Sequence, residues 1–111
     1  MASDKGFVEY VREQLEPAGS VRAKRMFGEY GLFLDGLFIA VICSDQLFIK
    51  PTAEARAAFP ELPMRPPYEG AKDYILFEDI DDSETLCALA ALTYETLRQA
   101  GRGPRSKEGL G

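Results

Sequence analysis

LFLDGLFIAVICSDQLFIK, residues 32–50, decides the fold. Asp35-Gly36 stands between two apolar runs, Leu32–Leu34 and Leu37–Cys43, and Asp-Gly so flanked is a strong hairpin signal. Ser44, Asp45 and Gln46 make a second tight turn into Leu47–Lys50. Upstream, Val21–Phe27 alternates, with Val21, Ala23, Arg25 and Phe27 on one face and Arg22, Lys24 and Met26 on the other. Gly28 and Gly31 bracket Glu29 and Tyr30, the mark of a bend or bulge. The spacing predicts three or four antiparallel strands in a meander.

The flanks are helical. Phe7, Val8, Val11 and Leu15 recur at helical spacing, with Ser3 as the N-cap, Asp4 favouring the positive end of the helix dipole, and Pro17 and Gly19 as the stop. Thr52 can cap a short helix through Phe59, and Pro60, Pro63, Pro66 and Pro67 impose an extended stretch after it. Tyr74–Ile80 predicts one more strand. Asp81, Asp82 and Ser83 offer caps for a last helix, with Leu86, Leu89, Ala90, Thr93 and Leu97 on one face and an end near Ala100. The class is α+β, an antiparallel meander sheet packed with about three helices. Residues 1–100 form the domain, and the Gly-rich, basic residues 101–111 read as a disordered tail.

Composition excludes more than it assigns. The 111 residues are 46% hydrophobic and 28% charged, an ordinary globular balance for one domain. Lys and Arg total 13 against 18 Asp and Glu, a net charge of -5, which argues against direct nucleic-acid binding. There is no His, and so no common general base or transition-metal ligand. Cys43 and Cys87 match no metal or redox spacing and read as a buried reduced pair. No signal peptide and no membrane-length apolar run is visible, so a cytoplasmic location is expected.

The hairpin strand is apolar on both faces. Strict alternation puts Leu37, Ile39 and Val41 on one side and Phe38, Ala40 and Ile42 on the other. A sheet with one solvated face should alternate polar and apolar, so a surplus face meets another chain or the Pro-rich loop. Homodimerisation through Phe38, Ala40 and Ile42 is the expectation.

Three groups of polar residues invite chemistry. Arg22 and Lys24 project from one strand face, and Lys50 and Tyr30 could join them around a phosphate or carboxylate; the alternative is pairing with Glu29 or Glu78. Gly28-Glu29-Tyr30-Gly31 lacks phosphate-loop spacing and is followed by a hairpin rather than a helix, so it reads as a bend. The acidic run from Glu78 to Glu84 lacks calcium-loop spacing and reads as helix caps. No catalytic residue, metal or cofactor is assigned.

At Arg25-Met26-Phe27-Gly28-Glu29-Tyr30-Gly31-Leu32 the sequence resembles the amino-terminal domain of the TfoX/Sxy family, bacterial proteins named for regulators of natural competence. The family pattern is Arg-Met-Phe-Gly-x-Tyr-Gly, then an apolar hairpin, then an apolar pair before Lys, here Leu47-Phe48-Ile49-Lys50. Pro67-Tyr68 and the strand from Tyr74 also look like the family, and the likeness spans roughly residues 3–100. Glu29 departs from it, standing where the family often has a second Gly. The resemblance implies a secretion-chaperone-like α/β fold without an established reaction. It implies a regulatory or protein-interaction role linked to transcription, exerted through an unidentified protein partner. With the sequence stopping at Gly111, a role that needs the competence regulators' carboxy-terminal domain is not implied. The alternative function is a binder or enzyme for a small anionic ligand, built on the cationic cluster.

Overall fold

The computed structural model describes residues 3–26 and 28–108, with side chains through residue 100. Phe27, a family-motif residue expected in the core, lies outside the described residues. Helix α1 (Lys5–Leu15) starts at Asp4, whose carboxylate accepts the Phe7 amide at 3.2 Å. Asp4, not the expected Ser3, is thus the N-cap; the Ser3 hydroxyl donates to Glu29 instead. A 3₁₀ turn (Glu16–Ala18) and Gly19, at φ 150, lead into the sheet.

Four strands then form the meander: β1 (Val21–Met26), β2 (Glu29–Leu34), β3 (Leu37–Cys43) and β4 (Gln46–Ile49). Both hairpin turns carry two consecutive positive φ values, 48 and 87 at Asp35 and Gly36, and 51 and 58 at Ser44 and Asp45. That geometry matches the twist of the strands it joins. The second turn has no glycine, so each residue there costs on the order of 1 kcal/mol, which other contacts must offset.

Helix α2 (Ala53–Ala58) is capped by Thr52, which accepts the Ala55 amide at 3.0 Å. The Pro-rich stretch is extended but contains a two-residue strand, β5 (Met64–Arg65), too short to announce itself as a period. Strand β6 (Tyr74–Phe77) inserts between β4 and β5, giving one six-stranded antiparallel sheet in the order β1-β2-β3-β4-β6-β5. Helix α3 (Ser83–Glu108) begins where Asp82 accepts the Thr85 amide at 3.2 Å, and the Thr85 side chain, then its amide, hold the Asp82 carboxyl below its usual value. The helix, expected to end near Ala100, runs on to Glu108; within the expected tail, the side chains of residues 101–108 and all of residues 109–111 lie outside the described residues.

Helices α1, α2 and α3 all contribute to one side of the sheet. Val8, Val11 and Leu15 of α1, Ala55 of α2, and Leu86, Leu89 and Ala90 of α3 share a core with Leu32, Leu34, Ile42, Leu47, Ile49, Ile75 and Phe77. Gln14 fastens α1 to the start of α3. Its amide donates to the Ile80 carbonyl at 2.8 Å, and its carbonyl accepts the Ser83 hydroxyl at 2.6 Å.

Among the described residues, one buried side-chain polar atom has no partner, the Thr93 hydroxyl, on a residue that is 0% exposed. Desolvating an unpaired hydroxyl is unfavourable, so the near-isosteric Thr93→Val is expected to stabilise by about 1 kcal/mol. For a chain of this size that raises the melting temperature by about 4–8 °C, readable by circular dichroism. A lower melting temperature would show that the hydroxyl is satisfied.

The strict alternation expected for β3 does not hold. Leu32 pairs with Ala40, but Phe33 pairs with Phe38, so Ile39 is an extra residue in the strand. The bulge reverses the phase of everything after it. Ile39, Ala40 and Ile42 are all 0% exposed in the helix-covered core, while Phe38, Val41 and Cys43 lie on the opposite face. Ala40 and Ile42, expected on a spare surface, are therefore core residues. Of the three interface candidates only Phe38 sits on the helix-free side.

Candidate functional site

The helix-free face is built from alternate residues of the strands. Cys43, Phe48 and Leu76 form its buried centre, with Val41 and Tyr74 packed against them. Toward β1, the rings of Phe33 and Phe38 pack at 5.4 Å with a 48° tilt. The Pro-rich segment lies across part of this surface. Pro67 and Tyr68 of that segment, Met26 of β1, Glu29 and Tyr30 of β2, Phe38, Val41 and Cys43 of β3, Ser44 of the turn, and Tyr74 of β6 enclose a groove of about 620 Å³. Its wall is mostly apolar and aromatic, as in ligand and peptide grooves generally. Tyr68 is 58% exposed at the lip.

Gly31 lies beneath this wall, and a side chain there would displace Met26. A Cβ there would stand 2.3 Å from the Met26 sulfur and 3.1 Å from Phe38 Cε1. The two motif glycines thus have different tasks. Gly28 supplies a positive φ of 81 in open space, whereas Gly31 lets Met26 and Phe38 close over the backbone.

The expected cationic cluster divides. Arg22 sits opposite Phe33, which sits opposite Phe38, and the Lys50 ammonium lies 5.2 Å from the Phe38 ring centroid. Three strand spacings put the Arg22 and Lys50 backbones about 14 Å apart, on either side of the Phe33–Phe38 pair. Lys24 is on the same face, opposite Gly31. Tyr30 is not on the cationic face of β1: it pairs with Ile42 and is 9% exposed, with the Arg25 guanidinium 5.4 Å from its ring centroid. The fold adds Arg65, exposed and directly opposite Tyr74 on the same face. Its place depends on β5, which carries no periodic signal.

Neither Glu29 nor Glu78 pairs with these cations. The ion pairs among the described residues join Arg12 to Glu9 and Glu16, and Arg98 to Glu95. Glu29 is occupied otherwise. Its Oε1 accepts the Ser3 amide at 3.0 Å and the Ser3 hydroxyl at 2.8 Å, and its Oε2 accepts the Ser44 amide at 3.1 Å. The Asp45 amide donates to Ser3 Oγ at 3.0 Å, and the Asp4 amide to Asp45 Oδ1 at 2.7 Å. This network ties the start of α1 to the glycine-free turn and holds its strained residues in place. Burial pushes the Glu29 carboxyl up, and the hydrogen bonds from Ser3 and Ser44 together more than reverse this, leaving it below its ordinary value.

Burial, then the Glu29 charge, raises the Cys43 thiol, and burial raises the Tyr74 phenol. A thiol so placed is a poor nucleophile. Cys87 is only half-buried and donates to the Gln14 carbonyl at 3.2 Å, on the helical side. In the acidic run Asp82 caps α3, and Asp81 accepts the Tyr10 hydroxyl. Among the described residues no group of three or more His, Cys, Asp or Glu could hold a metal ion, and no helix is long and apolar enough to cross a membrane.

Comparison with known proteins agrees with this geometry. The chain is 38% identical over 80 residues to an uncharacterized 12.7 kDa protein in the trpE 5' region of Spirochaeta aurantia, covering 72% of this chain and 70% of that one. Residues 13–97 match the TfoX N-terminal domain, spanning the whole sheet and most of α3. The chain belongs to the TfoX N-terminal domain family.

Proposed function

We propose that this chain is a non-catalytic regulatory module that binds another protein through the helix-free face of its sheet. Its output is transcriptional control of the kind for which the family's competence regulators are named. The observation that carries this reading is the character of that face: aromatic and aliphatic side chains with no helix over them, bordered by Arg22, Lys24 and Arg65, which make no ion pair among the described residues. Half-buried apolar side chains that no helix covers, bordered by uncompensated charge, suit a docking surface. The lack of His and the poorly nucleophilic Cys43 support a non-enzymatic role.

Homodimerisation is the second reading, favoured by the same apolar residues. The cations weigh against it, because a face-to-face two-fold brings Lys24 and Lys50 of one copy toward those of the other. A photo-crosslinking amino acid placed at Phe33, compared with one at Tyr10 on the exposed side of α1, separates the cases in the native host. Adducts with a second protein at 33 but not at 10 are the expected result. Adducts only at twice the chain's mass would select the homodimer, and equal labelling at both sites would overturn the use of this face.

A further inference from the structure

We infer that the groove between Tyr68, Tyr74 and Phe38 is a binding site for a small planar aromatic anion, its ring in the groove and its charged head toward Lys50. This goes beyond the docking reading and shares only the face with it. The groove's roughly 620 Å³ lies in the range of small-molecule sites, and Phe38, Tyr68 and Tyr74 offer flat aromatic contact.

Charge selects the sign of the ligand. Glu29, the carboxylate on the groove wall, has both oxygens engaged by hydrogen bonds from Ser3 and Ser44. The positive groups are placed differently. Lys50 stands over the Phe38 ring at the rim, making no ion pair among the described residues. Lys24 precedes Met26 on the same strand face, about 7 Å along it. Arg65 is directly across from Tyr74, so its side chain leaves the sheet beside the groove. Lys24, Lys50 and Arg65 stand outside the groove's own lining, next to its residues Met26, Phe38 and Tyr74, and are complementary to the charged head of an anion whose aromatic body fills the groove.

The test is a matched pair of probes, 2-naphthoate and 2-naphthylmethylammonium, titrated into the full chain and followed by amide resonances in two-dimensional NMR. The expected result is that naphthoate moves the resonances of Val41, Cys43, Tyr68 and Tyr74 and binds about tenfold tighter than the ammonium. Lys50→Gln should weaken naphthoate about fivefold and leave the ammonium unchanged, with the fold intact by its amide spectrum. Val41→Trp, filling the groove from a half-buried position, should abolish both. Equal affinity for the two probes, or no shift at millimolar naphthoate, overturns the site. So do groove resonances that move with protein concentration alone, which would make a second copy the occupant, and an acidic peptide binding where naphthoate does not. The crosslinks at Phe33 are read separately, so failure here leaves the docking proposal standing.

Discussion

Ile42→Ala is expected to lower the free energy of unfolding by about 3 kcal/mol, while Val41→Ala, one residue away, costs less than about 1 kcal/mol. Ile42 is 0% exposed and packs in the core beneath the helices; Val41 is half-buried on the face without them. Truncating Ile42 leaves a cavity in a region held by two packed layers, and the surroundings can relax only partly. Total stability for a domain of this kind is about 5–15 kcal/mol, so the Ile42 variant gives up a large share of it. Urea melts of the two variants make the comparison, since a shifted midpoint at constant slope reports stability alone. Equal losses, or a larger loss at Val41, would place the bulge elsewhere than at Ile39 and return Ile42 to the open face.

Removing the Glu29 carboxylate is expected to cost about 2 kcal/mol near neutral pH, in Glu29→Gln as well as Glu29→Ala, because hydrogen bonds to a charged acceptor are lost. Glu29→Gln keeps the shape but cannot accept from Ser3 and Ser44 with both terminal atoms. The effect is pH-dependent in a defined direction. The folded-state pKa of Glu29 lies below its ordinary value of 4.5, so the unfolded chain takes up the proton first. The stabilisation is complete above the unfolded value and disappears as pH falls through the folded one. The gap between wild type and Glu29→Gln should therefore close as the melts move from about pH 7 to about pH 3. Amide exchange at Ser44 and Asp45 should quicken in the variant, because their N–H groups bond to Glu29 and Ser3. A gap that stays constant across the acid range would mean that Glu29 holds the turn by packing rather than by charge.

Glu29 also illustrates how tertiary partners stay hidden in a sequence. As a departure from the family's frequent glycine, it reads as a constraint on a loop. In the folded chain it opens β2 and accepts from Ser3, which is 26 positions away, and from Ser44, which is 15 away. No local pattern announces partners at such separations. Arg65 is another case, since its position beside the groove depends on a two-residue strand paired with β6.

The element order apart from β5, both tight turns, the Thr52 and Asp82 caps and the α+β class were legible along the chain. Each of these rests on interactions within about four residues, where backbone preference and hydrogen bonding are local. A surplus of apolar residues on one face of the sheet was legible too. Which residues make up that surplus emerged only on folding. Alternation carries a period of two throughout β3, and the bulge at Ile39 inserts one residue, exchanging Ala40 and Ile42 for Val41 and Cys43 on the open side. A bulge is selected by how both strands fit the helices beneath them, and that fit exists only once the chain has folded. The same holds for the cations. Their number was visible in the chain, but their separation by the Phe33–Phe38 pair comes from strand register, which long-range pairing alone decides.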